Sequence, residues 1–313
     1  MWEPSASMHT LRKRAALIRH LRETLHQHGY LEVETPVIGR HGSTDVFLAS
    51  MTTNFRNQTY YLQTSPEFHM KRLLAAGSGP IFQIARVFRD DELGRWHNPE
   101  FSMLEWYRPY IDYHQLLLET ADIIQSLLHC APLIRISYQQ IFLNCCSIDP
   151  FNSSLEQLNT VLTMHNLKNI LPTTETDQDQ GLFLLMTHII EPWLAQQDNL
   201  FAIYDFPMSQ AALAQIFEER ALRFEIYYKG VELANGFAEL TDPTLQHQRF
   251  INDLHKRQQL ALPSIPLDQN LLAALEHGLP MCCGVALGLD RLIALTLNQD
   301  NIAQAMSFDW SRA

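Results

Sequence analysis

Long hydrophobic runs are absent from this sequence of 313 residues. No stretch approaches the run of about 18 apolar residues that a helix needs to cross a bilayer. Residues 1–14 also lack the apolar core and the small-residue cleavage site of a secretion signal. We therefore expect a cytoplasmic protein that makes no contact with a membrane.

Cysteines are few, and their spacing does not suit a structural or redox role. The five cysteines comprise two adjacent pairs, Cys145-Cys146 and Cys282-Cys283, and the single Cys130. None has the C-x-x-C spacing of a zinc or redox site, and an odd number argues against a disulfide framework. We predict that these residues are free thiols.

Positive charge is also scarce. The chain has 23 lysines and arginines against 34 aspartates and glutamates, which gives a net charge of −11. This balance excludes a nucleic-acid binder that relies on a broad basic face. We interpret the local group Arg12-Lys13-Arg14 as the solvated face of a helix. Net charge alone leaves a nucleic-acid partner open.

The common glycine-rich phosphate loops are missing too. The sequence contains no G-x-x-x-x-G-K-[ST], and no G-x-G-x-x-G that follows a strand and opens a helix. If the chain uses a nucleotide, side chains must hold the phosphates.

What the sequence does contain is a series of helices and strands without βαβ alternation. This pattern indicates an α+β fold with a mostly antiparallel sheet flanked by helices. We expect a single domain over residues 1–313, with a mainly helical insertion at about 137–198. Helices are predicted at 10–28, 66–75, 112–128, 243–260, 268–277 and from 290, and strands at 30–37, 81–88, 101–107, 200–205, 223–228, 231–240 and 283–288.

A charged loop between two apolar strands is the first feature that suggests chemistry. The strands at 81–88 and 101–107 predict an antiparallel hairpin whose loop carries Arg89 and His97. Arginine binds phosphate through two parallel hydrogen bonds and stays charged at any working pH. The ring of Phe101 offers a stacking face for a base. The hairpin therefore predicts a nucleotide site built from side chains.

Three segments resemble the signature motifs of class II aminoacyl-tRNA synthetases in their lysyl form. Residues 88–91 and 97–101, Phe-Arg-Asp-Asp and His-Asn-Pro-Glu-Phe, are similar to motif 2. Residues 28–36 resemble motif 1, which forms the family's dimer interface, and residues 284–291 resemble motif 3. Three motifs in order across most of the chain identify it as a member of this family, which implies the class II catalytic core and a homodimer.

The resemblance implies a role for each motif residue. Arg89 would bind the α-phosphate, and Arg291 would sandwich the adenine with Phe101, so both arginines are expected to be catalytic. His97 would approach the γ-phosphate of a bent ATP. The chemistry would then rest on positioning and cationic stabilisation. The full set expected to bind ATP is Arg89, Asp90, Asp91, His97, Asn98, Phe101, Glu232, Leu233, Gly288 and Arg291.

The cofactors that the resemblance implies are ATP and Mg²⁺. Glu232 and Glu239 match a segment whose carboxylates bind magnesium or substrate, and magnesium prefers oxygen ligands. Motif 2 normally has glutamate two residues after its arginine, and this chain has Asp91 there, followed by Glu92. Either the shorter carboxylate reaches the site or Glu92 replaces it.

Carboxylates at two places predict a substrate with two ammonium groups. Ser65, Pro66 and Glu67 lie where the lysyl branch carries the residues that hold the amino group. Glu239 would bind a second ammonium group, and Tyr107 would close the pocket. A buried ammonium group must be paired, so this arrangement favours lysine or a close isomer. A purely structural role for Glu67, at the start of its helix, stays open.

Two departures from the lysyl-tRNA synthetases narrow the expected function. Only about 27 residues precede motif 1, where the bacterial enzymes carry an anticodon-binding OB domain, so we expect no such domain and no tRNA partner. Ala286 replaces the middle glycine of motif 3, and one methyl group shifts a pocket's preference by about 1–3 kcal/mol. Both departures match stand-alone paralogues of lysyl-tRNA synthetase. They imply activation of (R)-β-lysine as an acyl-adenylate, with elongation factor P as the acceptor protein.

Three alternatives stay open. A truncated lysyl-tRNA synthetase could charge tRNA unaided, and another class II paralogue could make a different amide, such as asparagine. A non-catalytic regulatory subunit could bind a partner or an amino acid. The presence of Arg89, Arg291, Glu232 and Glu239 argues against this last alternative, because a dead copy has no chemical reason to keep them.

Overall fold

The structure is a computed structural model that describes residues 2–90, 92–170 and 177–313. Its α-helices are α1 (Met8–Gln27), α2 (Glu67–Ala75), α3 (Tyr113–Gln125), α4 (Tyr138–Cys146), α5 (Leu155–Met164), α6 (Gln178–Leu185), α7 (Glu191–Leu194), α8 (Pro243–Gln259), α9 (Gln269–Gly278) and α10 (Leu289–Thr296). A π-helix, Met186–Ile190, joins α6 to α7, and short 3₁₀-helices lie at Lys168–Ile170, Met208–Gln210 and Ile302–Ala305.

The strands form one large sheet and one small sheet. They are β1 (Leu31–Glu32), β2 (Ile38–Gly39), β3 (Thr52–Phe55), β4 (Gln58–Leu62), β5 (Ile81–Phe88), β6 (Glu100–Pro109), β7 (Ala131–Ser137), β8 (Asn199–Pro207), β9 (Ile216–Phe217), β10 (Arg220–Tyr228), β11 (Val231–Ala238) and β12 (Cys282–Gly288). The central sheet has the order β1-β5-β6-β12-β11-β10-β8-β7, with β9 beside β10, and the small sheet has the order β2-β4-β3.

The central sheet is antiparallel except at its two edges. There β1 pairs with β5, and β7 pairs with β8, in parallel. The predicted α+β fold with a mostly antiparallel sheet flanked by helices is therefore confirmed. Consecutive hairpins such as β5–β6 and β10–β11 explain this topology, because a short connection can join only antiparallel neighbours.

Helix α3 covers one face of the sheet and thereby leaves the other face for a site. Asp112 caps α3 by accepting a hydrogen bond from the backbone N–H of His114 and forms a capping box with Gln115. Apolar residues recur along the helix at helical spacing and are buried in one core with Leu104 and Trp106 of β6. Because side chains alternate across a strand, Glu105, which lies between these two residues, faces the opposite side of the sheet.

Several elements differ from the sequence-based predictions. The strand predicted at 30–37 is reduced to β1, since only two of its residues pair with β5 and Pro36 has no N–H to donate. The β3–β4 hairpin was not predicted, because its turn uses Arg56 and Asn57 at positive φ in place of the usual glycine. Strand β7 was missed as well.

The segment between β7 and β8 forms α4 to α7 in its described part. That this segment is an insertion stays a prediction. All five cysteines are free, as predicted. Among the described residues, no helix is long and apolar enough to cross a membrane.

Candidate active site

A cavity of about 1000 Å³ lies on the sheet face formed by β6, β12, β11 and β10. Alternate residues of a strand share a face, so each strand contributes every second side chain to the cavity floor. The register sets two adjacent rows across the four strands. These rows are Glu105, Ala286, Asn235 and Glu225, and next to them Tyr107, Gly284, Phe237 and Arg223.

A β-bulge in β11 brings Glu232 onto this face. Glu232 and Glu239 are an odd number of residues apart, so strict alternation would place them on opposite faces of the sheet. The register between β10 and β11 shifts between Ile226 and Tyr227, which pairs Tyr227 with Glu232 and leaves one extra residue, Leu233, in β11. Both glutamates therefore line the cavity.

Arg89 lies at one end of the cavity, directly after β5. Its Nη1 is 3.0 Å from Oε1 of Glu92, and its guanidinium carbon lies 5.1 Å from the centre of the Phe101 ring. The Nε atom is buried and has no hydrogen-bond partner among the described residues. A buried donor without a partner favours an anionic ligand at this place.

Arg291, in the first turn of α10, ties the loop between β5 and β6 to β11. Its Nε donates to the carbonyl oxygen of Trp96 (3.0 Å), and its Nη1 donates to the carbonyl oxygen of Glu232 (2.9 Å). Its Nη2 lies 2.6 Å from Nε2 of His97. Burial and the Arg291 guanidinium lower the pKa of His97, so a neutral imidazole accepts this hydrogen bond.

The other residues predicted to bind ATP fall into three groups. Asn98 lines the cavity and is held in place, because its side chain donates to the carbonyl oxygen of Glu100 (2.6 Å) and accepts from the N–H of Trp310 (2.9 Å). Asp90 is described but is not part of the cavity lining, and Asp91 lies outside the described residues. The remaining predicted residues also line the cavity: Arg89, His97, Phe101, Glu232, Leu233, Gly288 and Arg291.

Glu105 of β6 is the central buried acid of the opposite end, with a relative exposure of 1%. It accepts hydrogen bonds from the hydroxyls of Ser65 (2.6 Å) and Tyr107 (2.9 Å). Burial, followed by the charge of Glu67, raises the pKa of Glu105 to about 8. A buried carboxyl group with this pKa is suited to bind a cation as it ionises.

Glu67 and Glu239 meet at a buried lysine in the same end of the cavity. The Nζ atom of Lys71 is 2.6 Å from Oε1 of Glu67 and 2.6 Å from Oε2 of Glu239. Burial raises the pKa of Glu239 to about 7 against the lowering effect of Lys71. The two carboxylates that were predicted to hold ammonium groups are therefore brought together. Pro66, which precedes α2, is not part of the cavity lining.

The glycine and the alanine of β12 shape this end of the cavity. A Cβ atom at Gly284 would lie 2.2 Å from the Tyr107 ring and 2.5 Å from Oε1 of Glu239. Only glycine leaves room for both side chains here. Ala286, one row further, pairs across the strands with Glu105, so its methyl group lies on the floor beside the buried acid.

A second group of acids lies near Arg291. Glu225 of β10 accepts hydrogen bonds from Arg223 and from the hydroxyl of Tyr227, the latter at 2.7 Å. Burial and the charge of Glu225 raise the pKa of Glu232 to about 7, although Arg291 opposes the shift. These carboxylates are close enough to repel each other, and a divalent cation would relieve that repulsion.

Glu232 and Glu239 lie too far apart to ligate the same ion. At about 3.3 Å per residue along a strand, their Cα atoms are roughly 20 Å apart, and Glu239 is paired with Lys71. Within residues 2–90, 92–170 and 177–313 no cluster of three or more histidine, cysteine, aspartate or glutamate side chains is arranged to hold a metal. Magnesium commonly binds one or two carboxylates together with substrate phosphates. The pair Glu232 and Glu225 would supply those carboxylates.

Sequence reasoning missed Lys71, Glu105, Arg223 and Glu225. A signal for Glu105 existed, since it stands two residues before Tyr107 on a predicted strand and must share its face. Glu225 shares a face with Tyr227 for the same reason. Nothing in the local sequence distinguishes Lys71 from an exposed helix residue.

Comparison with known proteins shows which family the chain resembles. The protein-family model described as "tRNA synthetases class II (D, K and N)" matches residues 3–311. Proteins named elongation factor P--(R)-beta-lysine ligase from Salmonella typhi and Salmonella gallinarum are each 49% identical over 321 residues. The match covers 100% of this chain and 98% of each relative. The relative of the same name from Salmonella paratyphi B is also 49% identical.

Proposed function

The chain belongs to the class II tRNA synthetases of the D, K and N group, and we propose that it is an ATP-dependent ligase acting on elongation factor P. It activates (R)-β-lysine as an acyl-adenylate and transfers the acyl group to a lysine ε-amine of that protein. The observation that carries the proposal is the cavity, which joins an arginine and histidine end to an end with three glutamates, of which Glu105 and Glu239 are buried.

Adenylate formation takes place at the Arg89 end. An oxygen of the amino acid's carboxylate attacks the α-phosphorus of ATP, the bond to the bridging oxygen breaks, and pyrophosphate leaves. Arg89 holds the α-phosphate and stabilises the charge that develops there, with its buried Nε as an available donor. Because the chain aligns two reactants, no protein nucleophile is needed.

The base of ATP lies between Phe101 and Arg291 in this proposal. Gly288 and Leu233 line the same part of the cavity, and glycine leaves room for a nucleotide against the strand. His97, held by Arg291 at 2.6 Å, lies where it can approach the terminal phosphate. Nucleotide binding then replaces the contacts that these side chains make with each other.

A divalent ion, Mg²⁺ in our proposal, is held by Glu232 and Glu225. When bound, it neutralises phosphate charge and orients the leaving pyrophosphate. The carboxylate oxygens are the ligands that Mg²⁺ prefers, and Arg223 and Tyr227 fix the orientation of Glu225. We assign Glu239 to the amino acid instead, since it contacts Lys71.

The amino acid occupies the acidic end. Its two ammonium groups are paired by Glu67, Glu105 and Glu239, and Ser65 and Tyr107 orient the central acid. Desolvated ammonium groups and buried carboxylates each require a partner of opposite charge. An amino acid with only one amino group leaves a carboxylate of the pocket unpaired and therefore binds weakly. The methyl group of Ala286 narrows the floor beside Glu105 and thereby favours the β-isomer over α-lysine.

Transfer completes the reaction. The acceptor lysine loses a proton, its ε-nitrogen attacks the carbonyl carbon of the acyl-adenylate, and the bond to AMP breaks as the amide forms. The name of these relatives supports elongation factor P as the acceptor, and we propose that tRNA is not a substrate.

Assembly and domain structure complete the proposal. Leu31 and Ile38 are 56% and 51% exposed within and beside the segment that resembles motif 1, which supports a homodimer through that segment. We also propose that the helical segment at about 137–198 is an insertion into the catalytic domain.

The test is transfer of labelled (R)-β-lysine to purified elongation factor P, with tRNA as the competing acceptor. The proposal predicts ATP-dependent labelling of one lysine, located by mass spectrometry, and loss of labelling when that lysine is changed to arginine. Labelling of tRNA alone would instead favour a truncated tRNA synthetase.

A further inference from the structure

Lys71 is a buried cation that contacts two carboxylates of the cavity lining, Glu67 and Glu239. It lies one helical turn after Glu67 in α2, and its side chain is only 2% exposed. Taking an ammonium group out of water is costly unless it is paired. The two ion pairs of 2.6 Å, to Glu67 and to Glu239, provide that pairing.

Each of the two carboxylates contacts Lys71 through one oxygen. Lys71 binds Oε1 of Glu67 and Oε2 of Glu239. The other oxygen of Glu239 points toward Gly284, on the cavity floor, since a Cβ there would lie 2.5 Å from it. Glu239 is therefore held by one oxygen and offers the other to the cavity.

Without Lys71 the same two carboxylates would face each other in a buried site. Because both touch Nζ at 2.6 Å, their oxygens lie close enough for strong repulsion. Two carboxylates in such a site share a proton, so one of them is neutral. A neutral carboxyl group is a poor partner for an ammonium group.

We propose that Lys71 is a positioning residue that favours the ionised forms of Glu67 and Glu239 and orients them, so that both accept ammonium groups of the diamino substrate. This inference rests on the proposed function. It assigns a role to a residue that does not touch the reacting atoms.

The electrostatics of the pocket agree with this role. Burial by itself would lower the pKa of Lys71, and Glu239 and Glu67 hold it above its ordinary value. The ionisable groups that face the cluster are Glu67 of α2, Glu105 and Tyr107 of β6, Cys282 of β12, and Glu239. All of these groups are acids, so Lys71 is the cation of the cluster.

The experiment is pyrophosphate exchange with (R)-β-lysine in wild type, Lys71→Met and Lys71→Arg, from pH 6.5 to 9. Lys71→Met keeps an unbranched side chain of nearly the same length and removes its charge. We expect its KM for (R)-β-lysine to rise about 100-fold at pH 7, with kcat at saturation within about threefold. The ratio of the variant's KM to the wild-type KM should fall as pH rises, by up to about tenfold per pH unit, because the proton shared by Glu67 and Glu239 in the variant is then released.

Three comparisons make the outcome decisive. Lys256→Met, which removes an exposed lysine paired with Asp177 at the rim of the same cavity, should leave KM and its pH profile unchanged. An unchanged KM and pH profile in Lys71→Met would overturn the proposal. If Lys71→Met does not fold, Lys71→Arg decides: it should keep the wild-type pH profile, and a profile shifted to higher pH would contradict the role.

Failure of the proposed function gives a different result. In that case wild type itself shows no exchange with (R)-β-lysine, whatever residue occupies position 71. The role of Lys71 is refuted only when wild type is active and the variant matches it.

Discussion

The proposed nucleotide end of the cavity and its proposed amino-acid end are built from different parts of the fold. Arg89, His97 and Arg291 lie on a loop and in a first helical turn, and their side chains are partly exposed. Glu105 and Glu239 lie on or beside central strands and are 1% exposed, and Glu239 pairs with the buried Lys71.

This difference separates two ways of binding. At the nucleotide end, Arg291 contacts the neutral His97 and Arg89 contacts Glu92, and these partners can be exchanged for phosphates. The amino-acid end is preformed, and its selectivity depends on which carboxyl groups are ionised. Changes at the first end should therefore reduce the rate of chemistry, whereas changes at the second should alter affinity and pH dependence.

Arg89→Ala should produce the largest effect. Removing the guanidinium takes away the charge that stabilises the transition state, and we expect exchange to fall by about 10²–10³-fold or more in kcat. Arg86→Ala, an arginine on the exposed side of β5 that pairs with Glu100 at 3.7 Å, is the control and should keep the normal rate. A normal rate in Arg89→Ala would remove Arg89 from the mechanism.

Gly284→Ala tests the preformed end. Its Cβ would overlap the Tyr107 ring and Oε1 of Glu239, so we expect KM for the amino acid to rise about 100-fold while ATP binding is kept. Gly39→Ala is the control, because its Cβ would meet its nearest neighbour at an ordinary 3.5 Å. Equal loss of ATP binding and amino-acid binding in Gly284→Ala would contradict the claim that the two ends bind their ligands independently.

Ala286→Gly sharpens the comparison by changing selectivity without removing a charge. The deleted methyl group lies opposite Glu105, and the added space should shift preference toward α-lysine by about tenfold. The measurement is the ratio of kcat/KM for (R)-β-lysine and α-lysine in exchange. An unchanged ratio would mean that another part of the pocket distinguishes the isomers.

Glu105→Gln should produce the smallest of these effects, a change in the thermal stability of the protein measured without substrate. The pKa of Glu105 is about 8 in the folded chain and 4.5 as its ordinary value. The native state therefore holds a proton that the unfolded state has released, and stability falls as pH rises between these values. Glu105→Gln avoids this loss, so its Tm at pH 8.5 should exceed that of wild type by about 2–4 °C.

The control for this measurement is Glu276→Gln, at an exposed position of α9. It should change Tm equally little at pH 5 and pH 8.5. If the Tm of wild type falls no more than that of Glu105→Gln between pH 5 and pH 8.5, Glu105 is ionised in the empty pocket, and the prediction is wrong.

Local patterns in the sequence predicted the elements that hold the site. Apolar runs of strand length and the charged loop between them identified β5 and β6, and hence the place of Arg89. The family resemblance predicted that Tyr107 lines the pocket, and alternation along β6 would then have placed Glu105 there as well. Such patterns suffice because each involves neighbours along one strand.

Contacts between distant segments could not be predicted in this way. Lys71 becomes a buried residue only because α2 packs where Glu239, at the end of β11, can reach it. The bulge at Leu233 depends on the register with β10, and it decides which face Glu232 occupies. Both features arise from pairing across the sheet, which no local periodicity encodes.

The most direct test of the account is amino-acid-dependent ATP–pyrophosphate exchange, measured in parallel with (R)-β-lysine and α-lysine and without any acceptor. The account predicts strong exchange with (R)-β-lysine and weak exchange with α-lysine. A preference for α-lysine would contradict the assignment of the acidic end and favour a tRNA synthetase, and silence with both would favour a regulatory subunit.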